Sequence, residues 1–463
     1  MPKRVLVDTF CTASPEGTGI ASFARVLTRT VHALDHTVTL LTGGRQRRRH
    51  GGSAKKPMPP RAVLAFDHPG SEKSSVGTMT REGVPWWVRN PIFSARTLAM
   101  KLGYSVGGTT PVKIDDTDVV EMKVMRDRLG HFDELVNVND VFRASMRYFD
   151  ATGRMLEVTP PEPVAVAHFT WNLPIRVRGA KNIYTIHDLI PLRLPYYTLE
   201  NKDLYFRLVK HCVDTADVIA TDSESSRRDI VTILGADESR VVNTGLATDI
   251  PDAVLARPPA TTEALLQTFL GLGLRGYFLM VGSIEPRKNT ARAIEAHIAS
   301  ASPYPLVICG PRGALSAEEL RHGHVLHHIG NPVPDGRANL QPRVMVLDYV
   351  PRDMLLTLIQ GARALVFPSL YEGFGLPALE AMALGTPVIA SQTSALPEVC
   401  GDAAVYIDPY DGASLCEAVR TVSRWREDEI AAAGHAGRAQ AERFSAARYR
   451  AKVAALYGSL GCA

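Results

Sequence analysis

Residues 364–380 read Ala364-Leu365-Val366-Phe367-Pro368-Ser369-Leu370-Tyr371-Glu372-Gly373-Phe374-Gly375-Leu376-Pro377-Ala378-Leu379-Glu380. The first five are a short apolar run with the length of a buried strand, and Pro377 falls in the first turn of a helical pattern running to Leu384. A strand passing through a glycine loop into a helix is the building unit of a doubly wound α/β sheet, where ligands bind outside the carboxyl ends of the strands. Gly373 and Gly375 let backbone amides approach a ligand closely, and the positive N-terminal end of the helix favours a phosphate. Glu372 lies in the loop and Glu380 in the first helical turns, so these two carboxylates reach opposite ends of one ligand rather than lining one helical face. A carboxylate accepting from the vicinal hydroxyls of a ribose is common recognition chemistry in such folds.

The same arrangement recurs upstream. Val281-Gly282-Ser283-Ile284-Glu285-Pro286-Arg287-Lys288-Asn289 also follows an apolar run and precedes a helical pattern. Cations at a helix start oppose the macrodipole unless an anion binds nearby, so Arg287 and Lys288 are placed to neutralise a diphosphate. Apolar runs at 277–281, 306–310, 344–350, 364–368, 387–390 and 405–407 alternate with helical segments. A first series does the same at 5–8, 37–41, 164–169, 183–187, 218–221 and 241–243. Between the two, over about 250–276, the pattern weakens into Pro251, Pro258, Pro259 and a glycine-rich stretch. The fold class is therefore α/β, with two doubly wound, Rossmann-like domains, 1–255 and 256–463, facing a central cleft. That division suits 463 residues at about 100 to 200 per domain.

Composition narrows the function. With 45 % hydrophobic and 22 % charged residues, disordered, collagen-like and disulfide-scaffold classes are excluded, and a net charge of 52 − 48 = +4 argues against a dedicated nucleic-acid binder. Six scattered cysteines with no C-x-x-C pair argue against zinc and redox chemistry and fit a reducing compartment. No stretch approaches the ~18 apolar residues of a membrane span, and Asp8 interrupts the run Val5-Leu6-Val7, so a cytoplasmic chain is expected.

Local charge is another matter. Residues 43–61 carry Arg45, Arg47, Arg48, Arg49, Lys55, Lys56 and Arg61 with no acid, which reads as a solvated loop or as a contact for anionic lipid or phosphate. Trp86, Trp87, Phe93, Leu98 and Met100 alternate with Arg81, Arg89, Arg96 and Lys101, a combination that suits either core packing or a membrane surface. His187 closes the run 183–187 just before Asp188 and is expected to face the cleft; His168, closing 164–169, reads first as a structural histidine. No Asp-x-Asp stands at a strand end, and Asp115-Asp116-Thr117-Asp118 reads as a solvated turn, so no metal site is expected.

Glu372-x7-Glu380 and the Glu285-Pro286-Arg287-Lys288-Asn289 loop together resemble the family-4 retaining glycosyltransferases of GT-B fold. The likeness extends to Gly17-Thr18-Gly19-Ile20, similar to that family's N-terminal glycine loop, and to Tyr184-Thr185-Ile186-His187-Asp188-Leu189-Ile190-Pro191-Leu192-Arg193. About 43–163 shows no clear family pattern and is assigned, as a basic insertion, to the acceptor side. The resemblance implies that Glu380 holds the ribose and Glu372 faces the donor sugar, with the amides of Phe374, Gly375 and Leu376 on sugar and phosphate oxygens. It implies that Lys288 and Arg287 stabilise the diphosphate leaving group, that Gly17 and Gly19 border the donor, and that the backbone of Tyr349 and Val350 holds the base. Many relatives carry an Arg where this chain has Ser283, which leaves Arg287 a larger share. His187 then stands beside the reacting carbon, and the last helix packs back on the N-terminal domain.

By the same resemblance the reaction is a metal-independent hexosyl transfer, needing no cofactor, with front-face attack and retention. The wording of the motifs is closest to mannosyltransferases of bacterial surface-polysaccharide and lipopolysaccharide assembly. That implies GDP-mannose as donor, with UDP- and dTDP-sugars open, and a glycan or lipid-linked acceptor met at the inner face of the membrane. The rival readings are weaker. A nicotinamide-dependent oxidoreductase needs a tight first turn, yet nine residues stand between Asp8 and Thr18, and the run ending at Leu41 leads to Arg45 with no acidic ribose ligand. A non-catalytic nucleotide-sugar or glycan-binding module on the same fold and a nucleotide-sugar isomerase are further alternatives.

Overall fold

The computed structural model of the chain describes residues 3–12, 19–44, 110–112, 127–313, 316–320, 326–327 and 343–462. Strand β1 (Arg4–Asp8) shows how the first sheet is built. Val5 and Val7 enter one apolar core and Leu6 the other, so both faces are dry and the strand reads as an unbroken apolar run. Each such side chain contributes about 1.5 to 3 kcal/mol relative to an exposed one. The N-terminal half continues with β2 (Thr37–Thr42), β3 (Thr110–Val112), β4 (Glu134–Asn137), β5 (Leu156–Val158), β6 (Val166–Phe169), β7 (Ile175–Val177), β8 (Lys181–Thr185), β9 (Val218–Thr221) and β10 (Val241–Asn243). Eight of these form one sheet in the order β10-β9-β8-β6-β1-β2-β4-β3, and β5 pairs separately with β7. Every pair in the large sheet is parallel except β3 on β4.

The C-terminal half repeats the plan with β11 (Phe278–Val281), β12 (Leu306–Cys309), β13 (Leu326–His327), β14 (Val344–Leu347), β15 (Ala364–Phe367), β16 (Val388–Ser391) and β17 (Ala404–Ile407). They lie in the all-parallel order β13-β14-β12-β11-β15-β16-β17. The chain winds outward from β11 through β12 and β14, then returns to β15 on the other side. The strand order therefore reverses between β11 and β15, where an open α/β sheet leaves its ligand crevice. The loops leaving those two strands are 282–289 and 368–375, so the fold sets both sequence motifs side by side. In the N-terminal sheet the reversal lies between β1 and β6.

Several details differ from the sequence reading. The run 183–187 stops as a strand at Thr185 and 344–350 stops at Leu347, which puts His187, Tyr349 and Val350 in the loops beyond. The stretch 43–163 is only partly an insertion: β4 is built into the sheet beside β2, and the helix Val141–Thr152 sends Val141 and Phe149 into the core that holds Leu6, Leu41 and Leu156. Ile250 and Val254 already pack with the C-terminal core. The helix Ala446–Ser459 returns to the other domain, placing Tyr449, Val453, Leu456 and Tyr457 in the core around the helix Gly19–His32. Gly17, the basic residues 45–61, Trp86, Trp87 and Asp115 to Asp118 lie outside the described residues. Among the described residues no helix is long and apolar enough to cross a membrane.

Candidate active site

The C-terminal side of the cleft is organised around a buried ion pair. Lys288 Nζ donates to Glu372 Oε1 at 2.6 Å, and Arg287 Nη1 approaches the same oxygen at 3.5 Å while its Nε donates to Glu285 at 3.0 Å. Pro286–Lys288 forms one 3₁₀ turn ahead of the helix Thr290–Ser300. Asn289 fastens this turn to the neighbouring strand ends by donating to the carbonyls of Pro368 and Pro409. Lys288 also lies 4.8 Å from the centre of the Phe367 ring. Burial pushes the Glu372 carboxyl up, but Lys288 and Arg287 outweigh it and hold it below the usual carboxylate range. Burial acts on Lys288 as well, lowering its pKa, with Arg287 adding to that and Glu372 opposing it.

Glu372 is anchored by its own backbone, whose N–H donates to Ser394 Oγ at 2.9 Å. Beyond it the chain turns at Gly375, whose φ of 109° leads into the helix Leu376–Leu384 with Pro377 in its first turn. Leu376 lies 3.9 Å from the position a side chain would take at Gly19, so the two faces of the cleft meet there. Phe374 is turned inward, its ring edge-on to Phe444 at 5.5 Å.

Across the cleft, the carboxyl ends of β1, β6, β8 and β9 are tied together. Asp8 accepts from Thr170 N–H and Oγ1, the Thr170 carbonyl accepts from His187 Nε2 at 2.9 Å, and His187 Nδ1 donates to Asp222. An imidazole with an acceptor at each nitrogen donates from both and is the imidazolium. Burial alone would lower the His187 pKa; the Asp222 carboxylate and the hydrogen bonds overcome it and raise it. Burial likewise raises Asp8, to about 6, against its hydrogen bonds. The sequence reading turned His187 toward the cleft; both of its ring nitrogens are instead engaged within the N-terminal domain, and the residue offers a fixed charge. His168 is structural, bonded to Tyr457 at 3.0 Å and Thr185 at 3.1 Å, and burial lowers it to about 3.

The two sides touch at Gly373. Its carbonyl accepts from Ser223 Oγ at 2.6 Å and Ser226 Oγ at 3.2 Å, and a Cβ at this position would stand 2.6 Å from the His187 carbonyl and 2.7 Å from Asp188 Cβ. Only glycine permits that approach. Tyr371 donates to Asp229, which also holds Arg193, and Glu398 accepts from Glu224 N–H at 2.8 Å. Asp188 is half-buried beside this contact; desolvation raises its pKa, with the Ile190 N–H and Arg287 opposing.

The remaining candidates stand apart from the ion pair. Glu380 is buried and held by both arms of Arg352, which starts the helix Arg352–Gly361. Tyr349 is 55 % exposed and Val350 packs on the C-terminal core. Ser283 follows β11 and is half-buried. Asp222, Ser223, Ser226 and Arg352 were not singled out from the sequence. Asp222 and Ser223 follow an apolar strand run, which was the available signal; Arg352 gave none. Among the described residues, His32, His131 and Asp133 bring metal-binding atoms within 4.8 Å of one another, next to the amino ends of β2 and β4 and so at the opposite end of the sheet.

Two Rossmann-like domains meeting across strand-end loops, one of them carrying paired cations and carboxylates at its switch point, define a glycosyltransferase of GT-B fold. Residues 274–432 match the family described as glycosyl transferases group 1. Over 282 residues the chain is 35 % identical to O-antigen chain mannosyltransferase B of Escherichia coli, covering 59 % of this chain and 68 % of that protein. The chain belongs to the group 1 glycosyl transferases. It is also 27 % identical over 267 residues to the serotype-specific mannosyltransferase WbdA of Escherichia coli, spanning 54 % of this chain but 30 % of that longer one. In fold it is similar to the Anabaena HepE protein solved in complex with UDP-glucose, with TM-score 0.59 at 12 % identity over 99 % of this chain and 100 % of that one.

Proposed function

We propose that this chain transfers mannose from GDP-mannose, with retention of configuration, to a hydroxyl of a glycan or lipid-linked acceptor during assembly of a cell-surface polysaccharide. The buried Lys288–Glu372 pair, set with Arg287 at the switch point of the C-terminal sheet, carries this reading. Similarity to the O-antigen mannosyltransferase supports the choice of sugar.

Breaking the sugar–phosphate bond requires stabilising negative charge on the departing diphosphate. Lys288 and Arg287 supply fixed cations in a site from which water is largely excluded, and the start of the helix Leu376–Leu384 adds its dipole, so no metal or cofactor is required. With a diphosphate neutralising Lys288, Glu372 is released to accept from hydroxyls of the sugar. Amides at Phe374, Gly375 and Leu376 hold sugar and phosphate oxygens, Glu380 holds the ribose, and the backbone of Tyr349 and Val350 holds the base. Gly19 and Ser283 border the donor. The His187 imidazolium adds fixed positive charge on the acceptor side. The acceptor hydroxyl attacks from the face the diphosphate leaves, and its proton passes to the departing phosphate oxygen.

A panel of GDP-, UDP- and dTDP-sugars, scored by nucleotide release with and without lipid-linked oligosaccharide, tests the donor. Release confined to a UDP- or dTDP-sugar would replace mannose from GDP-mannose in this reading. NMR of the product anomer tests retention, and activity after chelation tests metal independence. For a lipid-linked acceptor the chain works at the cytoplasmic membrane face, with the seven basic residues of 45–61 contributing ~1 kcal/mol each near anionic lipid. Cosedimentation with anionic but not neutral vesicles, weakening with salt, is the expected result; equal partition to both counts against it.

A further inference from the structure

Glu380 is a buried carboxylate in the second turn of the helix Leu376–Leu384, and Arg352, its bidentate partner, comes from another helix. Two features make this pair unusual. Arg352 is the first residue of its helix, where a cation opposes the macrodipole and needs an anion to hold it. Its Nε is also buried without a hydrogen-bond partner, so the guanidinium accepts an incompletely satisfied position in order to place its two arms on Glu380. An ionised carboxylate offers about four lone-pair sites; a bidentate arginine occupies two and leaves two, the number that a pair of vicinal hydroxyls fills.

We infer that Arg352 is the positioning residue that fixes the Glu380 carboxylate for vicinal hydroxyls, and thereby sets the preference for ribonucleotides over 2′-deoxyribonucleotides. The inference rests on the reading of Glu380 as the ribose ligand. Arg352 touches no substrate in this role. It locks the carboxylate plane, so that losing one hydroxyl leaves an acceptor site unfilled rather than letting the side chain turn to another partner. Lysine keeps the charge but not the planar fork, so charge and orientation are separable at this position.

The test is calorimetric binding of GDP and 2′-deoxy-GDP, with UDP and 2′-deoxy-UDP in parallel, to the wild-type chain and to Arg352→Lys, Arg352→Gln and Glu380→Gln, each checked for cooperative thermal unfolding. The wild type is expected to prefer the ribonucleotide about 10-fold or more, the effect of a hydrogen bond to a charged group. Arg352→Lys and Arg352→Gln are expected to reduce that ratio to about 3-fold or less, chiefly by weakening ribonucleotide binding, since an unoriented carboxylate loses most of such a bond. A wild-type ratio in both folded Arg352 variants, or equal weakening of both nucleotides, overturns the inference while Glu380→Gln still abolishes the ratio. If the wild type shows no preference and Glu380→Gln binds normally, the ribose reading of Glu380 falls, and the inference with it.

Discussion

The two walls of the cleft use charge in opposite ways. On the C-terminal side, Lys288, Arg287 and Glu372 neutralise one another, and in the proposed reaction each partner exchanges its counter-ion for a phosphate or a hydroxyl. On the N-terminal side, Asp8, Thr170, His187 and Asp222 close a chain of hydrogen bonds whose members are occupied from within. On that proposal the first wall is disturbed by substrate and the second stays as it is. Buried charge alone therefore does not mark a reacting group; what separates the two is whether the partner is replaceable.

That contrast breaks first at Asp222. Asp222→Ala strands the buried His187 cation and is expected to cost about 3 to 5 kcal/mol of stability, the range for removing one partner of a buried pair. Chemical unfolding measures it, and a cost under ~1 kcal/mol would mean that the N-terminal network is as exchangeable as the other wall. Lys288→Ala is the matching change opposite: about 100-fold or more off turnover, roughly 2.7 to 4 kcal/mol. Near-normal turnover at saturating donor would assign the leaving-group charge to other residues.

Gly373→Ala tests whether the walls must touch. The added carbon meets the His187 carbonyl and Asp188, so the domains are held apart, and kcat should fall by up to ~100-fold while nucleoside diphosphate binding persists. Unchanged kcat would show that the contact is incidental. The smallest effect is in pH. Because the folded pKa of His187 is raised, its stabilising contribution is complete below about 6.5 and is lost as pH rises through the folded value. A melting temperature that declines on the alkaline side in the wild type, but not in Asp222→Asn, is the expected result; parallel profiles would place the proton elsewhere.

Much of the C-terminal wall was legible because its residues act near where they stand in the chain. Glu285 to Asn289 and Glu372 to Gly375 are contiguous loops after apolar strands, and the periodicity that revealed the strands also located the loops. The N-terminal wall was less so. His187 was visible, but its meaning depends on Asp222, 35 residues away on the next strand, and on a carbonyl from a third. Strand β4 was lost within a stretch lacking family pattern, since Glu134 and Asn137 at its ends leave two apolar residues, Leu135 and Val136, to mark it.

The sequence by itself determined two doubly wound domains, the loops that bear the charges and the sign of the charge in each, because strand burial, turn chemistry and helix polarity are local and repeat with short periods. Only the tertiary structure decided which charges meet. Parallel strands bring together loops 84 residues apart, as in Lys288 and Glu372, and the returning C-terminal helix sets Tyr457 on His168 across 289 residues. Such pairings follow from strand order and helix return, which no window of residues contains, and they settle whether a given histidine, arginine or glutamate is open to a ligand or already held.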